Sequence, residues 1–434
     1  MLSLRTAPIK CERVHIPIST MIIQKNNYDV PDFLNEQFFK KVVENKVGSK
    51  DFELTGLNFS MGCDPGENHL SNVYRVQATY NEKGSGSKVG NFFVKCVPLE
   101  GDRKEFAEMD IFEKEKLMYC DIIPQIESCL VNIQTAPKCY YVTSEPMATM
   151  VFEDMKATGY DIADRVNGVD INHCKVFLTK LGQYHAGSMI LLEKEPSLKE
   201  TDNLKNGIFS SLSFSKSSLA VPTYRNLSKF IEHASKWSGY EKIVNKLQDY
   251  LTNKTFLDKV LEGIRISPGD IVAIVHEDCW VNNILFQYKG NSVTDALLID
   301  FQGCTRGSIG LDIIYFFAAD VELNVLRKDR DQLIEDYYYP ALRASLEQGS
   351  YKNIPTLEDV KNEVKKKVMF GLFGAVLVLP LISLNKKDKV ENTVEAMKDK
   401  NKAERIAEIA CSSKRAQETL KIFLEECDSY GLLN

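Results

Sequence analysis

The 434-residue sequence has no excess of positive charge, since 54 Lys and Arg residues stand against 60 Asp and Glu residues. A chain with a formal charge of -6 lacks the broad basic field that holds nucleic acid or anionic lipid. We therefore expect no nucleic-acid partner, and any anionic ligand has to be met by a local site. With 44% hydrophobic and 26% charged residues, the composition excludes a disordered or collagen-like chain.

The sequence also lacks paired cysteine motifs, internal repeats and low-complexity tracts. Its 11 cysteines contain no C-x-x-C pair, and no cluster of histidines accompanies them. Scattered cysteines of this kind are typical of reduced thiols, so we expect a cytoplasmic location and neither a disulfide framework nor a zinc site.

No apolar run reaches the ~20 residues of a membrane-spanning helix. The run 369–383 (MFGLFGAVLVLPLIS) contains two glycines and Pro380, which predicts a buried helix and no membrane insertion. Residues 1–20 carry basic side chains but not the continuous apolar run of a signal peptide, so we expect residues 1–28 to be an N-terminal extension.

The hydrophobic pattern changes near residue 156. Alternation of apolar and polar residues from 51 to 97 predicts an antiparallel sheet, the spacing in 104–119 predicts a helix, and two further apolar runs predict strands. The remainder is mostly helical in pattern. The sequence therefore predicts an α+β protein with an N-lobe over residues 29–156, a helical C-lobe over residues 157–434, and a ligand cleft between them.

The segment 271–301 (IVAIVHEDCWVNNILFQYKGNSVTDALLIDF) carries the most chemical information. Two strands joined by a KGNS turn predict an antiparallel hairpin, whose geometry returns Asp300 to the end where Asn283 lies. Asp278 precedes that end, so two carboxylates and one amide are expected to converge. These groups supply oxygen ligands for Mg²⁺ and one carboxylate that can accept or donate a proton.

The spacing H-x-D-x-x-x-x-N, followed by D-F at the end of a strand, is the arrangement of catalytic and metal-binding loops in kinases. A lone H-x-D is found in many turns, so the hypothesis depends on the combination. A kinase also needs a strand lysine and a helix glutamate to orient it. Lys95 in NFFVKCV fits the first role, and Glu115 fits the second, with Glu113 as a competitor.

A phosphate-covering loop is expected in the segment 61–76 (MGCDPGENHLSNVYRV), between two predicted strands. Its glycines match G-x-G-x-x-G only loosely. We expect Asn68, His69 and Ser71 to lie near the phosphates of a nucleotide.

Seven segments carry a resemblance to a known family: GENHLSNVYRV, FFVKCV, FEKEKLMY, VFEDMKATGYDIADR, LTKLGQYHAG, HEDCWVNNILF and LLIDFQG. They resemble the ecdysteroid 22-kinase-like family of insects, a branch of the choline-kinase-like and aminoglycoside-phosphotransferase-like enzymes. The resemblance runs from about residue 30 to beyond residue 385 and implies a bilobal, protein-kinase-like fold.

The resemblance implies roles for five of these residues. Asp278 would be the catalytic base, and Asn283 and Asp300 would ligate Mg²⁺. Lys95 and Glu115 would form the pair that orients the phosphates of ATP.

Further positions follow from the same resemblance. The connection Glu153, Asp154 and Met155 would bind adenine through its backbone. His276 would brace the catalytic loop, and His185 in QYHAG is expected to pack inside the C-lobe.

One residue departs from the family pattern, because Glu277 stands where the family usually has glycine. A carboxylate beside the γ-phosphate would repel it, so we expect the Glu277 side chain to point away from the cleft.

These observations favour an ATP- and Mg²⁺-dependent small-molecule kinase that phosphorylates a hydroxyl of an ecdysteroid-like steroid alcohol. Choline, ethanolamine or an aminosugar is the alternative acceptor. The sequence lacks the H-R-D arginine and A-P-E segment of protein kinases. A non-catalytic nucleotide-binding protein and an adaptor using the EDYYYP segment (335–340) are the other classes, and no obligate protein partner is expected.

Overall fold

The protein folds around a six-stranded sheet that is followed by a larger, mainly helical part. The structure, a computed structural model, describes residues 21–24, 30–63, 71–97, 111–207, 209, 220–384 and 399–434. The strands of the sheet are β1 (Ile22–Gln24), β2 (Phe52–Met61), β3 (Asn72–Glu82), β4 (Gly86–Val97), β5 (Cys139–Thr143) and β6 (Ala148–Glu153).

The sheet has the order β1-β2-β3-β4-β6-β5 and is antiparallel except for the pair β1 and β2. In β3 the residues Tyr74, Val76, Ala78 and Tyr80 are buried, which follows the alternation read in the sequence. The antiparallel sheet predicted for this region is confirmed.

One face of the sheet is covered by helix α1 (Glu36–Val47). Asn35 caps its start by accepting a hydrogen bond from the Phe38 N–H, and Gly48 ends it with a positive φ of 74°. Phe39 of α1 packs against the rings of Phe59 and Phe92. This core fixes β4 at the centre of the sheet.

A helical segment links the sheet to the rest of the chain. It contains α2 (Ile111–Leu117), a π-helical turn (Met118–Ile122) and α3 (Ile123–Ser128). The helix predicted over 104–119 is present from residue 111, and residues 104–110 lie outside the described residues. The helix extends further than predicted because Pro124, in the first turn of α3, is compatible with a new helical start.

The remaining strands form two small sheets. Strands β7 (Tyr160–Ile162), β9 (Ile284–Lys289) and β10 (Ser292–Leu298) form one, and β8 (Val272–Val275) pairs with β11 (Thr305–Ser308). Strands β9 and β10 are the predicted hairpin. β7 was not predicted, because three residues are too few to show a period.

The helices of the second half are, in chain order, α4 (Ile171–Lys194), α5 (Ala220–Ala234), α6 (Glu241–Asn253), α7 (Phe256–Ile264), α8 (Ile309–Ala319), α9 (Leu323–Lys328), α10 (Arg330–Leu333), α11 (Tyr339–Gln348), α12 (Leu357–Lys366), α13 (Val368–Ile382), α14 (Lys400–Cys411) and α15 (Lys414–Ser429). Helix α8 is buried along its whole length. The α+β class is thereby confirmed.

The apolar run 369–383 lies in helix α13, which packs against α8, α15, α5 and α7. Neighbours on several sides explain why it is apolar around its circumference. It is a buried helix, as predicted. Among the described residues, no helix has the length and apolar character needed to cross a membrane.

Close packing between α4 and the segment before α11 predicts the effect of one substitution. A Cβ added at Gly182 would lie 2.5 Å from the Tyr338 carbonyl oxygen. We expect Gly182→Ala to lower the free energy of unfolding by about 1–3 kcal/mol, because backbone has to shift. Urea denaturation measures this. Gly263→Ala is the matched helical control, since its Cβ would lie 3.3 Å from the Met369 Cβ and would not press on a backbone carbonyl. Equal stability of the two variants would contradict the expectation.

Candidate active site

Lys95 lies near the end of β4, where it pairs with Val73 of β3 and Met150 of β6. Its ammonium lies 2.8 Å from both carboxylate oxygens of Glu115 and 2.9 Å from Oδ1 of Asp300. These contacts join the sheet, helix α2 and the end of the hairpin. The competitor Glu113 points elsewhere and pairs with Lys116.

The charges of this cluster are unequal, because one ammonium faces two carboxylates. Burial alone would lower the pKa of Lys95, but the charges of Asp300 and Glu115 outweigh it and raise the pKa. The Lys95 and Glu115 side chains are 11% and 2% exposed, whereas the Asp300 side chain is 30% exposed. Lys95 therefore stays protonated, and the solvent-accessible part of the cluster is the Asp300 carboxylate.

Asp278 lies on the loop between β8 and β9 with both carboxylate oxygens held. The Asn283 amide donates to Oδ2 at 3.0 Å and to the Asp278 backbone carbonyl at 2.9 Å. The Tyr315 hydroxyl donates to Oδ1 at 3.1 Å. Burial raises the pKa of Asp278 to about 6, and these hydrogen bonds oppose the rise.

The hairpin brings Asp300 back beside this loop. The Ile299 N–H donates to the Asn283 carbonyl oxygen at 3.0 Å. Asp300 itself has a positive φ of 65°, a conformation that aspartate tolerates better than most side chains. The predicted convergence of Asp278, Asn283 and Asp300 is present.

Asp312 anchors the backbone of the loop, and sequence reasoning missed it. Its carboxylate accepts from the N–H groups of His276 and Glu277, each at 2.8 Å. His185, whose other ring nitrogen meets the Tyr338 hydroxyl, lies 3.0 Å from the same carboxylate. Burial alone would raise the pKa of Asp312, but the hydrogen bond from His185 and the other contacts hold it below its usual value. A single carboxylate in the apolar sequence IGLDIIYFFAA was the available signal.

A second carboxylate holds the later part of the loop. Asp320, at the end of α8, accepts from the Val281 N–H at 2.9 Å. Burial raises the pKa of Asp320 well above its usual value. The two aspartates lie eight residues apart, so helix α8 positions both halves of the loop. Tyr315 lies between them on the same helix and was also missed.

His276 and His185 are both engaged in contacts inside the protein. The His276 ring nitrogen Nε2 lies 2.9 Å from the Ile299 carbonyl oxygen, which ties the loop to the hairpin. His185 is fully buried among the residues that hold Asp312. Both rings are fully buried.

The residues expected at the nucleotide base lie where β6 ends. The N–H groups of Glu153 and Asp154 donate to the carbonyls of Lys138 and Asn91. The Asp154 carboxylate pairs with Arg75 and accepts from the Lys156 N–H. The two N–H groups are thus engaged within the protein.

Ser71 is buried just before β3, two residues ahead of Val73, which pairs with Lys95. Ser71 therefore lies two residues from the position on β3 that is opposite Lys95. Asn68 and His69 lie outside the described residues.

The donor set suits a hard divalent cation. Because the Asn283 NH₂ group donates to Asp278, the amide oxygen is the atom left for a ligand role. Asp300 adds a partly exposed carboxylate. In the described parts of the chain, no three His, Cys, Asp or Glu side chains form a ready-made metal site. Mg²⁺ sites of kinases use few protein ligands together with phosphate oxygens, which fits this set.

A sheet lysine held by a helix glutamate, next to a loop and hairpin that bring Asp278, Asn283 and Asp300 together, defines a kinase-like phosphotransferase site. The chain belongs to the ecdysteroid kinase-like family, whose model matches residues 65–351.

Several solved structures are similar to the chain at 12% sequence identity. A Ralstonia eutropha protein described as a candidate aminoglycoside phosphotransferase has a TM-score of 0.36, over 84% of this chain and 93% of that one. A variant of aminoglycoside 2'-phosphotransferase-IIIa in complex with GDP has a TM-score of 0.35, over 92% and 100%. A microcompartment-associated aminopropanol kinase has a TM-score of 0.32, over 92% and 99%. No curated protein sequence matches the chain significantly.

The Lys95 cluster predicts a coupled effect on stability. Burial already raises the pKa of Glu115 to about 7, so without its counter-charge in Lys95→Met the carboxylate either stays buried and charged or takes up a proton. We expect a loss of about 1–3 kcal/mol of unfolding free energy. Lys95→Met combined with Glu115→Gln should recover most of that loss, because the uncompensated charge is gone. Urea denaturation of both variants checks this.

Lys88→Met is the control on the same strand, because Lys88 is 43% exposed in its pair with Glu82. We expect it to change stability by less than about 0.5 kcal/mol. A double variant no more stable than Lys95→Met would contradict the buried ion pair as the cause.

Proposed function

We propose that the protein is an ATP- and Mg²⁺-dependent small-molecule kinase whose acceptor is a hydroxyl of an ecdysteroid-like steroid alcohol. The observation that carries the proposal is the shared Lys95 ammonium, held 2.8 Å from Glu115 and 2.9 Å from Asp300. It supports the reaction because a lysine fixed in this way can bind phosphate oxygens without losing further side-chain freedom.

Asp278 is the proposed base. Asn283 and Tyr315 each hold one of its carboxylate oxygens, which leaves the remaining lone pairs to accept the proton of the acceptor hydroxyl. Asn283 and Asp300 are the proposed Mg²⁺ ligands. When bound, the cation neutralises charge on the phosphates of ATP.

The nucleotide is proposed to lie against Lys95, with its adenine at the end of β6. Because the N–H groups of Glu153 and Asp154 already have partners, the Met155 N–H is the proposed adenine donor. Ser71 and Asn68 are proposed to lie near the phosphates. The division into residues 1–28, 29–156 and 157–434 and the cytoplasmic location remain predictions.

The acceptor is proposed from two observations. The chain belongs to the ecdysteroid kinase-like family. Beside the proposed base, the ring of Tyr315 stacks on Phe370 at 5.1 Å, and Phe370 stacks on Phe373 at 5.8 Å. The three rings are fully buried, so they make the protein interior behind the proposed base apolar.

The acceptor class is tested by an ATP-consumption panel of ecdysteroids, other sterols, choline, ethanolamine and aminosugars. We expect turnover with at least one ecdysteroid, at a kcat/KM well above that for choline. Turnover with choline and with no steroid would overturn the acceptor and keep the kinase. No turnover across the panel with intact ATP binding would favour the non-catalytic class.

Asp278→Asn tests the reaction itself. We expect kcat to fall ~10²–10⁴-fold while the dissociation constant of ATP stays within a few-fold, because a base acts on the acceptor and not on the nucleotide. Turnover and nucleotide titration are measured side by side. Asp331→Asn is the control, since its side chain is 82% exposed. Loss of ATP binding in step with turnover would show that Asp278 supports the fold and not the proton transfer.

A further inference from the structure

Glu277, beside the proposed base, holds a backbone conformation that favours glycine. Its φ is +64°, and its side chain is fully buried. The Glu277 N–H donates to Asp312 at 2.8 Å, so this conformation is fixed. A strained residue that persists next to a catalytic loop is expected to be held by contacts of its own side chain.

The carboxylate of Glu277 lies beside Gly207 and Phe209. Its Oε2 accepts from the Phe209 N–H at 3.2 Å. Gly207 comes so close to the same carboxylate that a Cβ at residue 207 would overlap its oxygen. Glu277 and Gly207 are therefore matched, since the space that a side chain at 207 would need is filled by the carboxylate.

Helix α2 also reaches this point through Lys114, the residue before Glu115. Lys114 is buried and donates to the Asn206 carbonyl oxygen. Burial lowers its pKa, and the negative charge of Glu277 opposes that effect. The loop, helix α2 and residues 206, 207 and 209 thus meet around one buried carboxylate.

The ring of Phe209 connects this contact back to the base. It packs against the ring of Tyr315 at 6.0 Å and against Phe373 at 5.2 Å. The Tyr315 hydroxyl donates to Asp278 at 3.1 Å. Glu277 therefore contacts Phe209, Phe209 contacts Tyr315, and Tyr315 contacts Asp278. Because Asp278 follows Glu277 in the chain, these contacts link two adjacent residues through the surrounding structure.

We propose that Glu277 is a positioning residue for Asp278, acting through Phe209 and Tyr315. Its carboxylate fixes the backbone at Phe209, which holds the aromatic ring against Tyr315 and keeps the tyrosine hydroxyl on the Asp278 carboxylate. This inference rests on the proposed kinase function. It makes the unusual residue at 277 a part of the site and not a sign of inactivity.

Glu277→Gly tests the inference, because glycine accepts the backbone conformation while the buried side chain and its carboxylate are removed. We expect kcat for the best acceptor of the panel to fall ~10-fold, the KM for ATP to stay within about twofold, and the share of ATP hydrolysed by water to rise. Glu277→Gln should stay within about threefold of the parent kcat, because its amide oxygen can still accept from Phe209.

Asn132→Gly is the matched control for glycine at a positive φ. Asn132 has a φ of 56° and is exposed, and we expect its substitution to leave kcat unchanged. A Glu277→Gly variant with the parent kcat would overturn the inference. A fall in kcat matched by an equal loss of ATP binding would also overturn it, because a merely structural role gives that result.

A double-mutant cycle with Gly207→Ala measures the contact directly. In the parent, Gly207→Ala should lower kcat, since its Cβ displaces the carboxylate. In the Glu277→Gly background the same substitution should have little further effect. Additive effects would contradict the coupling. A parent protein without turnover would overturn the proposed function together with this inference. An active parent in which the effects of the two substitutions are additive would overturn the inference alone.

Discussion

The ammonium of Lys95 is the contact on which the candidate site depends, because it joins three separate parts of the chain. It reaches from the central strand of the sheet to Glu115 on a helix and to Asp300 at the end of the hairpin. A buried ion pair contributes little net stability compared with apolar packing. Its importance lies in geometry, since it fixes a cation and a carboxylate at the site proposed for the phosphates and the metal ion.

The second constraint is the way in which helix α8 holds the loop that carries Asp278. Asp312 and Asp320 accept from backbone N–H groups at the two ends of the loop, and Tyr315 between them reaches the Asp278 side chain. The helix is otherwise apolar and buried, so these polar groups have fixed surroundings. Held in this way, the proposed base Asp278 would need no rearrangement before it acts.

Short-range patterns explain which features the sequence could predict. The hairpin that brings Asp300 beside Asn283 follows from two alternating strands and a tight turn, and Lys95 and Glu115 follow from their places on a strand and a helix. Contacts between distant segments leave no such period. The Asp312 anchor links helix α8 to a loop 35 and 36 residues earlier in the chain. The Glu277 contact spans 68 residues.

The departure at residue 277 shows how a local rule can mislead. Sequence reasoning placed a carboxylate near the phosphates and expected it to point away, and the structure directs it to the Phe209 N–H. What it contacts there could not be anticipated, because Gly207 and Phe209 belong to a segment without a strong pattern. The buried carboxylate is accommodated by partners that only the folded chain brings together.

A structure with Mg²⁺ and AMP-PNP is the most direct test of the central claim that the Lys95 cluster is a nucleotide site. We predict that Lys95 keeps its contact with Glu115 and exchanges Asp300 for phosphate oxygens, while Asp300 and Asn283 face the cation. Nucleotide bound away from Lys95, with the 2.9 Å contact between Lys95 and Asp300 intact, would contradict the account.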